Sequence, residues 1–179
     1  MSYASLMVYV EADATPEQRV RLAASLADRF GAVLTGMSAV GVPLPIVADG
    51  MVIAEWTVED VELMRAKLAD KGSWFRSIAG GDHRKLDWRA APDFPAEALT
   101  RAARSADLVV IGQVKAPGNA YRALDPGEAI LKMGRPTLVV PEGVDSLRAE
   151  HIVIGWKDTR EARRAVPDAL PFLQEGYHC

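Results

Sequence analysis

The chain has 179 residues, 49% of them hydrophobic and 25% charged, and a formal net charge of −3. That is enough for one α/β domain with a proper core plus a smaller remnant, and the mild acidity argues against nucleic acid as a main partner. The only cysteine, Cys179, rules out an internal disulfide framework and fits a reducing cytoplasm.

The N-terminal "MSYASLMVYVEAD" has no basic stretch ahead of an apolar core, so it does not read as a signal peptide. Residues 6–10 are a β-branched apolar run, the first strand. In "TPEQRVRLAASLADRFG" Thr15 reads as N-cap, Pro16 as first-turn residue and Gln18 as capping-box partner, with Leu22, Leu26 and Phe30 on one face and Gly31 as the stop. "AVLTGMSAV" follows as a second buried strand. "VPLPIVADGMVIAEW" is the most apolar long stretch, but Pro43, Pro45 and Asp49 break it and it is too short to cross a bilayer.

Thr57 with Asp60 opens the next helix, whose Val61, Met64, Leu68, Phe75 and Ile78 repeat at helical spacing up to Gly80 and Gly81. Gly72 in its middle is expected to weaken or kink it. "KLDWRA" reads as a third strand, "PAEALTRAARSA" as a helix, "LVVIG" as a fourth strand, "GEAILKM" as a short helix and "PTLVV" as a fifth strand. Such alternation predicts a parallel sheet covered on both faces. Ligands then belong beyond the carboxyl ends of the strands, in the loops after strands one and four.

After a polar linker, residues 144–150, "HIVIGWKDTREARRAVPDALPFLQ" begins again with a strand and a capped helix. Setting Thr159 against Thr15 also aligns Ile152 with Val8, Ile154 with Val10, Arg163 with Arg19 and Leu170 with Leu26. This reads as an incomplete second repeat over residues 151–179, although any two strand-and-helix units with capping threonines align in a similar way. One strand and one helix cannot stand alone, so the face formed by Ala162, Val166, Leu170 and Leu173 needs a surface to dock on.

The loop after strand four carries Gly112, Lys115, Gly118 and Gly127. Glycines let backbone N–H groups approach a phosphate, and a lysine adds a point charge. The same loop also reads as a turn-forming connection without ligand, which Glu128 favours, because a carboxylate directly after Gly127 repels phosphate. At the end of strand one, Glu11 and Asp13 could bond a ribose hydroxyl or, in a receiver-type fold, hold a metal; "TLVVPEG" lacks the lysine a receiver needs. His83, His151 and His178 have no partner at metal-ligand spacing, and there is no nucleophile elbow. Trp56, Trp74, Trp88 and Trp156 read as core and interface anchors.

Taken together, "ARSADLVVIG", "GRPTLVVPEG" and the restart at residue 151 resemble the universal stress protein family, in particular its tandem members with two copies in one chain. The resemblance covers residues 1–143 as a whole domain and residues 151–174 as the opening of another. It implies a Rossmann-like, adenine nucleotide alpha hydrolase-like sheet in the order 3-2-1-4-5, and a homodimer paired through strand five and the C-terminal tail. Some members bind ATP, through G-x2-G-x9-G-[ST] after strand four. Here Gly112 matches the first glycine, Lys115 replaces the second, and Gly127 is reached only with two inserted residues and is followed by Glu128. The family's acidic residue ending strand one is met by Glu11 or Asp13. The implied function is therefore a non-catalytic, cytoplasmic stress-response binding or scaffold protein with a degenerate nucleotide loop, no cofactor expected, and no nucleic-acid or membrane partner. The alternative is an ATP- or AMP-binding stress sensor, or a weak ATPase, using Glu11 or Asp13, Gly112, Lys115, Gly118 and Gly127.

Overall fold

A computed structural model describes residues 2–41, 46–48, 51–54, 57–81, 84–113 and 122–174. In chain order the elements are β1 (Ser5–Tyr9), α1 (Glu17–Phe30), β2 (Val33–Ala39), β3 (Ile46–Ala48), β4 (Met51–Ala54), α2 (Val58–Ala79), β5 (Leu86–Ala91), α3 (Pro95–Ala102), β6 (Leu108–Gly112), α4 (Pro126–Met133), β7 (Thr137–Val140), α5 (Arg160–Asp168) and α6 (Leu170–Leu173). Five parallel strands form one sheet in the order β5-β2-β1-β6-β7, and β3 pairs with β4 in a separate two-stranded antiparallel sheet. With that pair set aside, the order is the 3-2-1-4-5 expected from the sequence. The β3–β4 pair falls in the apolar stretch to which the sequence pattern assigns no element.

β1 explains why the alternation is readable. It lies between β2 and β6, with Leu6 opposite Leu34 and Leu108 and Val8 opposite Gly36 and Val110. Both faces are covered, so successive residues are all apolar. Leu6 and Val8 meet Val20, Leu22, Leu26 and Phe75 from α1 and α2, whereas Met7 and Tyr9 meet Leu99, Ala129 and Met133 from α3 and α4. The start of β1 is pinned to β6 by Asp107, whose Oδ2 accepts from the backbone N–H of Ala4 and Ser5, both at 2.9 Å.

α2 begins as its sequence predicts: Thr57 and Asp60 form a reciprocal capping box. It then runs unbroken through Gly72, correcting the expected kink. A Cβ on Gly72 would stand 2.7 Å from the Trp88 indole, and one on Gly36 of β2 would also stand 2.7 Å from it. Both glycines are notches for a tryptophan delivered by β5, which stacks on Phe75 with ring centroids 5.4 Å apart. α1 departs from expectation at its start. Pro16 is the N-cap and no side chain caps the helix, so the Thr15–Gln18 capping box does not form. Gly31 closes α1 in the left-handed conformation, φ 64°, as anticipated.

The tail divides into two parts. Residues 151–157 carry no strand, correcting the expected "HIVIGW" strand, and Val153 is 95% exposed. α5 and α6 do form, with Thr159 capping α5 by accepting from the Ala162 N–H at 3.3 Å. Ala162, Val166, Leu170 and Leu173 are half-buried. The contact surface includes Tyr3 and Phe30: Phe172 packs against both rings at centroid distances of 5.6 and 5.5 Å, and the Tyr3 hydroxyl donates to the Asp168 carbonyl at 2.6 Å. Burial raises the Tyr3 phenol to about 12, so this donor keeps its proton throughout the physiological range. Among the described residues, no helix is long and apolar enough to cross a membrane.

Candidate functional site

The chain order reverses between β1, which continues to β2 on one side, and β6 on the other. Beyond the carboxyl ends of these strands lies an open cavity of about 860 Å³, bounded by the first turn of α1, the ends of β6 and β7, and the approach to α4. Glu11 follows β1 closely, Gly112 ends β6, and Arg19 enters from α1; all three line the cavity.

Arg19 and Glu11 form a bidentate ion pair: Nη1 donates to Oε1 at 2.9 Å and Nη2 donates to Oε2. The arginine side chain is 8% exposed and the glutamate 26%. Arg19 shares the inward stripe of α1 with Leu22 and Leu26, which is why a charged side chain ends up buried at the sheet. Its guanidinium lies on the Gly112 backbone. A Cβ on Gly112 would stand 2.8 Å from Cζ and closer still to Nη1, so a larger residue there would displace the guanidinium. The Arg19 Nε is buried with no hydrogen-bond acceptor among the described residues. Below the pair, burial pushes the Tyr9 phenol far above its usual range, with the Glu11 charge adding to the effect, so Tyr9 stays neutral.

Asp13 sits outside the cavity lining, at the rim. Its carboxylate bridges Lys67 of α2 and Arg122, the latter at 3.3 Å. The hydrogen bond from Lys67 holds the Asp13 carboxyl below its usual range, with Arg122 reinforcing it. One turn along α2, Lys71 donates to the Ala14 carbonyl at 2.7 Å and lies over the Trp74 ring, and burial lowers its pKa.

Gly127 stands apart, as the second residue of α4. The N-terminus of that helix, where a phosphate would be received, carries its own carboxylate. Asp125 caps it by accepting from the Glu128 N–H at 3.1 Å, and Glu128 itself pairs with Lys132 at 2.6 Å. Two acidic side chains therefore already satisfy the positive end of α4.

Of the six residues singled out in the sequence, the fold brings Glu11 and Gly112 together, leaves Asp13 at the rim and puts Gly127 inside a capped helix. Lys115 and Gly118 lie outside the described residues, as do Trp56, His83, His178 and Cys179. Arg19 is a site residue that the sequence reading misses. Its signal is present, since it falls three residues before Leu22 and seven before Leu26, an arginine on an otherwise apolar stripe. No group of three or more His, Cys, Asp or Glu side chains suited to a metal occurs among the described residues.

No family profile and no curated protein matches this sequence. Solved structures do share the fold. A universal stress protein in complex with cAMP is 19% identical with a TM-score of 0.51, covering 79% of this chain and 98% of that one. Universal stress protein UspA from Lactobacillus plantarum is 18% identical at a TM-score of 0.55, over 78% and 99% of the two chains. A universal stress protein from Archaeoglobus fulgidus in complex with dAMP is 22% identical at a TM-score of 0.50, over 78% and 98%. At these identities the likeness is one of fold: the five-stranded parallel sheet seen here is the sheet of universal stress proteins.

Proposed function

We propose that this chain is a universal stress protein-like, non-catalytic binding or scaffold protein of the stress response, working in the cytoplasm without nucleic acid or membrane as partner. The observation that carries the reading is the α4 N-terminus. Asp125 caps it and Glu128 follows Gly127, so the helix end that would receive a nucleotide phosphate presents carboxylates instead. Bringing a phosphate there sets like charges within a few ångströms and displaces a cap worth about 1 kcal/mol. Protein purified without added nucleotide, denatured with acid and passed over an ion-exchange column, should release none; AMP or ATP at near-equal molarity would refute the reading.

A second reading, an AMP-type nucleotide sensor or weak ATPase, draws support from the cavity between β1 and β6, with Glu11 and Gly112 at its floor, and from the cAMP and dAMP of fold neighbours. The same release experiment decides between the two.

We further propose that two chains associate through β7 and the segment after it, with residues 151–174 as an incomplete second repeat. β7 is a sheet edge with Val139 39% exposed, and Ile152, Val153, Ile154 and Trp156 are 40, 95, 51 and 57% exposed. A sheet edge beside an exposed apolar segment is a pairing surface. Light scattering at high micromolar concentration should give the mass of a dimer; a monomer would refute the pairing.

A further inference from the structure

We propose that Arg19 is the specificity-determining residue of the cavity, a side chain of the protein itself that closes the floor to nucleotides. The inference rests on the reading just given and explains how the remaining, better-formed half of the site is disarmed. Three observations converge on it. The first is steric: the guanidinium covers the face of Gly112, in the space its missing side chain leaves free. Close backbone approach is what a glycine at a strand end offers a ligand, and here that approach is taken.

The second is electrostatic. Both oxygens of Glu11 accept from Arg19. A ligand hydroxyl can bond Glu11 only by competing with a charge-assisted bidentate pair, and neutral donors are about half as strong. The third is orientation. Nη1 and Nη2 each donate to Glu11, and Nε is shut away from solvent, so the arginine presents a neutralised pair to the cavity and not an open fork for phosphate. The position of Arg19 on the Leu22–Leu26 stripe, with a side chain 8% exposed, resists its swinging out.

The test compares the full-length protein with Arg19→Ala by saturation-transfer NMR titration of ATP and of AMP, with near-UV circular dichroism checking the fold. Wild type should give dissociation constants weaker than about 1 mM, and Arg19→Ala should tighten at least one nucleotide by about tenfold or more. A folded Arg19→Ala that gains nothing overturns the proposal while leaving the non-nucleotide reading intact; the ion pair is then purely structural. A wild type that binds tightly and is weakened by the substitution overturns both, because Arg19 is then a phosphate ligand. Should Arg19→Ala fail to fold, the neutral pair Glu11→Gln/Arg19→Gln replaces it. The glutamine side chain is shorter than arginine and uncovers Gly112, so a gain of about threefold or more in AMP affinity supports the proposal and no gain overturns it.

Discussion

Residues 6–10 and residues 152–156 have the same sequence pattern, a β-branched apolar run followed by a charged residue and a helix, yet they end differently. The first is β1, with Leu6, Val8 and Tyr9 at 0% exposure between two neighbouring strands. The second forms no strand, and its large apolar side chains are 40 to 95% exposed. The helices that follow show no such contrast. α1 and α5 both form, because a helix satisfies its hydrogen bonds within itself and needs only one covered face. A strand needs a neighbour. The tail therefore docks by its helices, through Phe172 against Tyr3 and Phe30, and leaves its would-be strand without a sheet.

The sharpest way to break this comparison is to place the same charge in both runs. Val8→Asp buries an uncompensated carboxylate and should cost about 4–5 kcal/mol or prevent folding, while Val153→Asp should change stability by less than about 0.5 kcal/mol in urea titrations. If the two chains associate through the exposed segment, Val153→Asp should also weaken the dimer seen by light scattering. Equal loss in both variants would mean that the segment is covered after all.

Removing Arg19 comes next in size. Glu11 keeps some solvent, so Arg19→Ala should cost about 2–3 kcal/mol, at or below the low end of the range for a half-broken buried pair, read from the urea midpoint. A smaller effect is expected for the docking contact. Phe172→Ala removes a half-buried ring and should cost about 1–2 kcal/mol, lowering Tm by roughly 2–8 °C; truncation after Val144 should lower it at least as much and expose Tyr3 and Phe30. A tail that can be removed without change would show that α5 and α6 do not hold to the domain.

The smallest effect is electrostatic. The folded-state pKa of Asp13 is depressed below the ordinary carboxylate range by Lys67 and Arg122. Its contribution is thus fully present above about pH 4, the unfolded value, and is lost as pH falls through the depressed folded value. Because the pair is nearly half exposed, Lys67→Met should flatten the acid limb of stability by less than about 1 kcal/mol, with no change in the slope near neutral pH.

What the sequence reveals follows the same division. Buried strands such as β1, β2 and β6 are readable because two-sided burial leaves few polar positions, and the Thr57–Asp60 box and the Gly31 stop are readable because caps are local. Gly72 misleads because its reason, the Trp88 ring, arrives from another element, the strand β5. The Thr15–Gln18 box fails because Pro16, not Thr15, occupies the capping position. At the site, Glu11 and Gly112 are legible from their place at strand ends. Arg19 is not, since a lone charge on a helix ordinarily points to solvent, and only the bidentate partner eight residues earlier makes its burial tolerable.

The claim that the cavity is held by the protein's own side chains is tested most directly by calorimetric titration of the full-length chain with ATP and magnesium at physiological salt. The account predicts no saturable heat up to about 1 mM ligand. A one-to-one isotherm with a dissociation constant in the low micromolar range would contradict it.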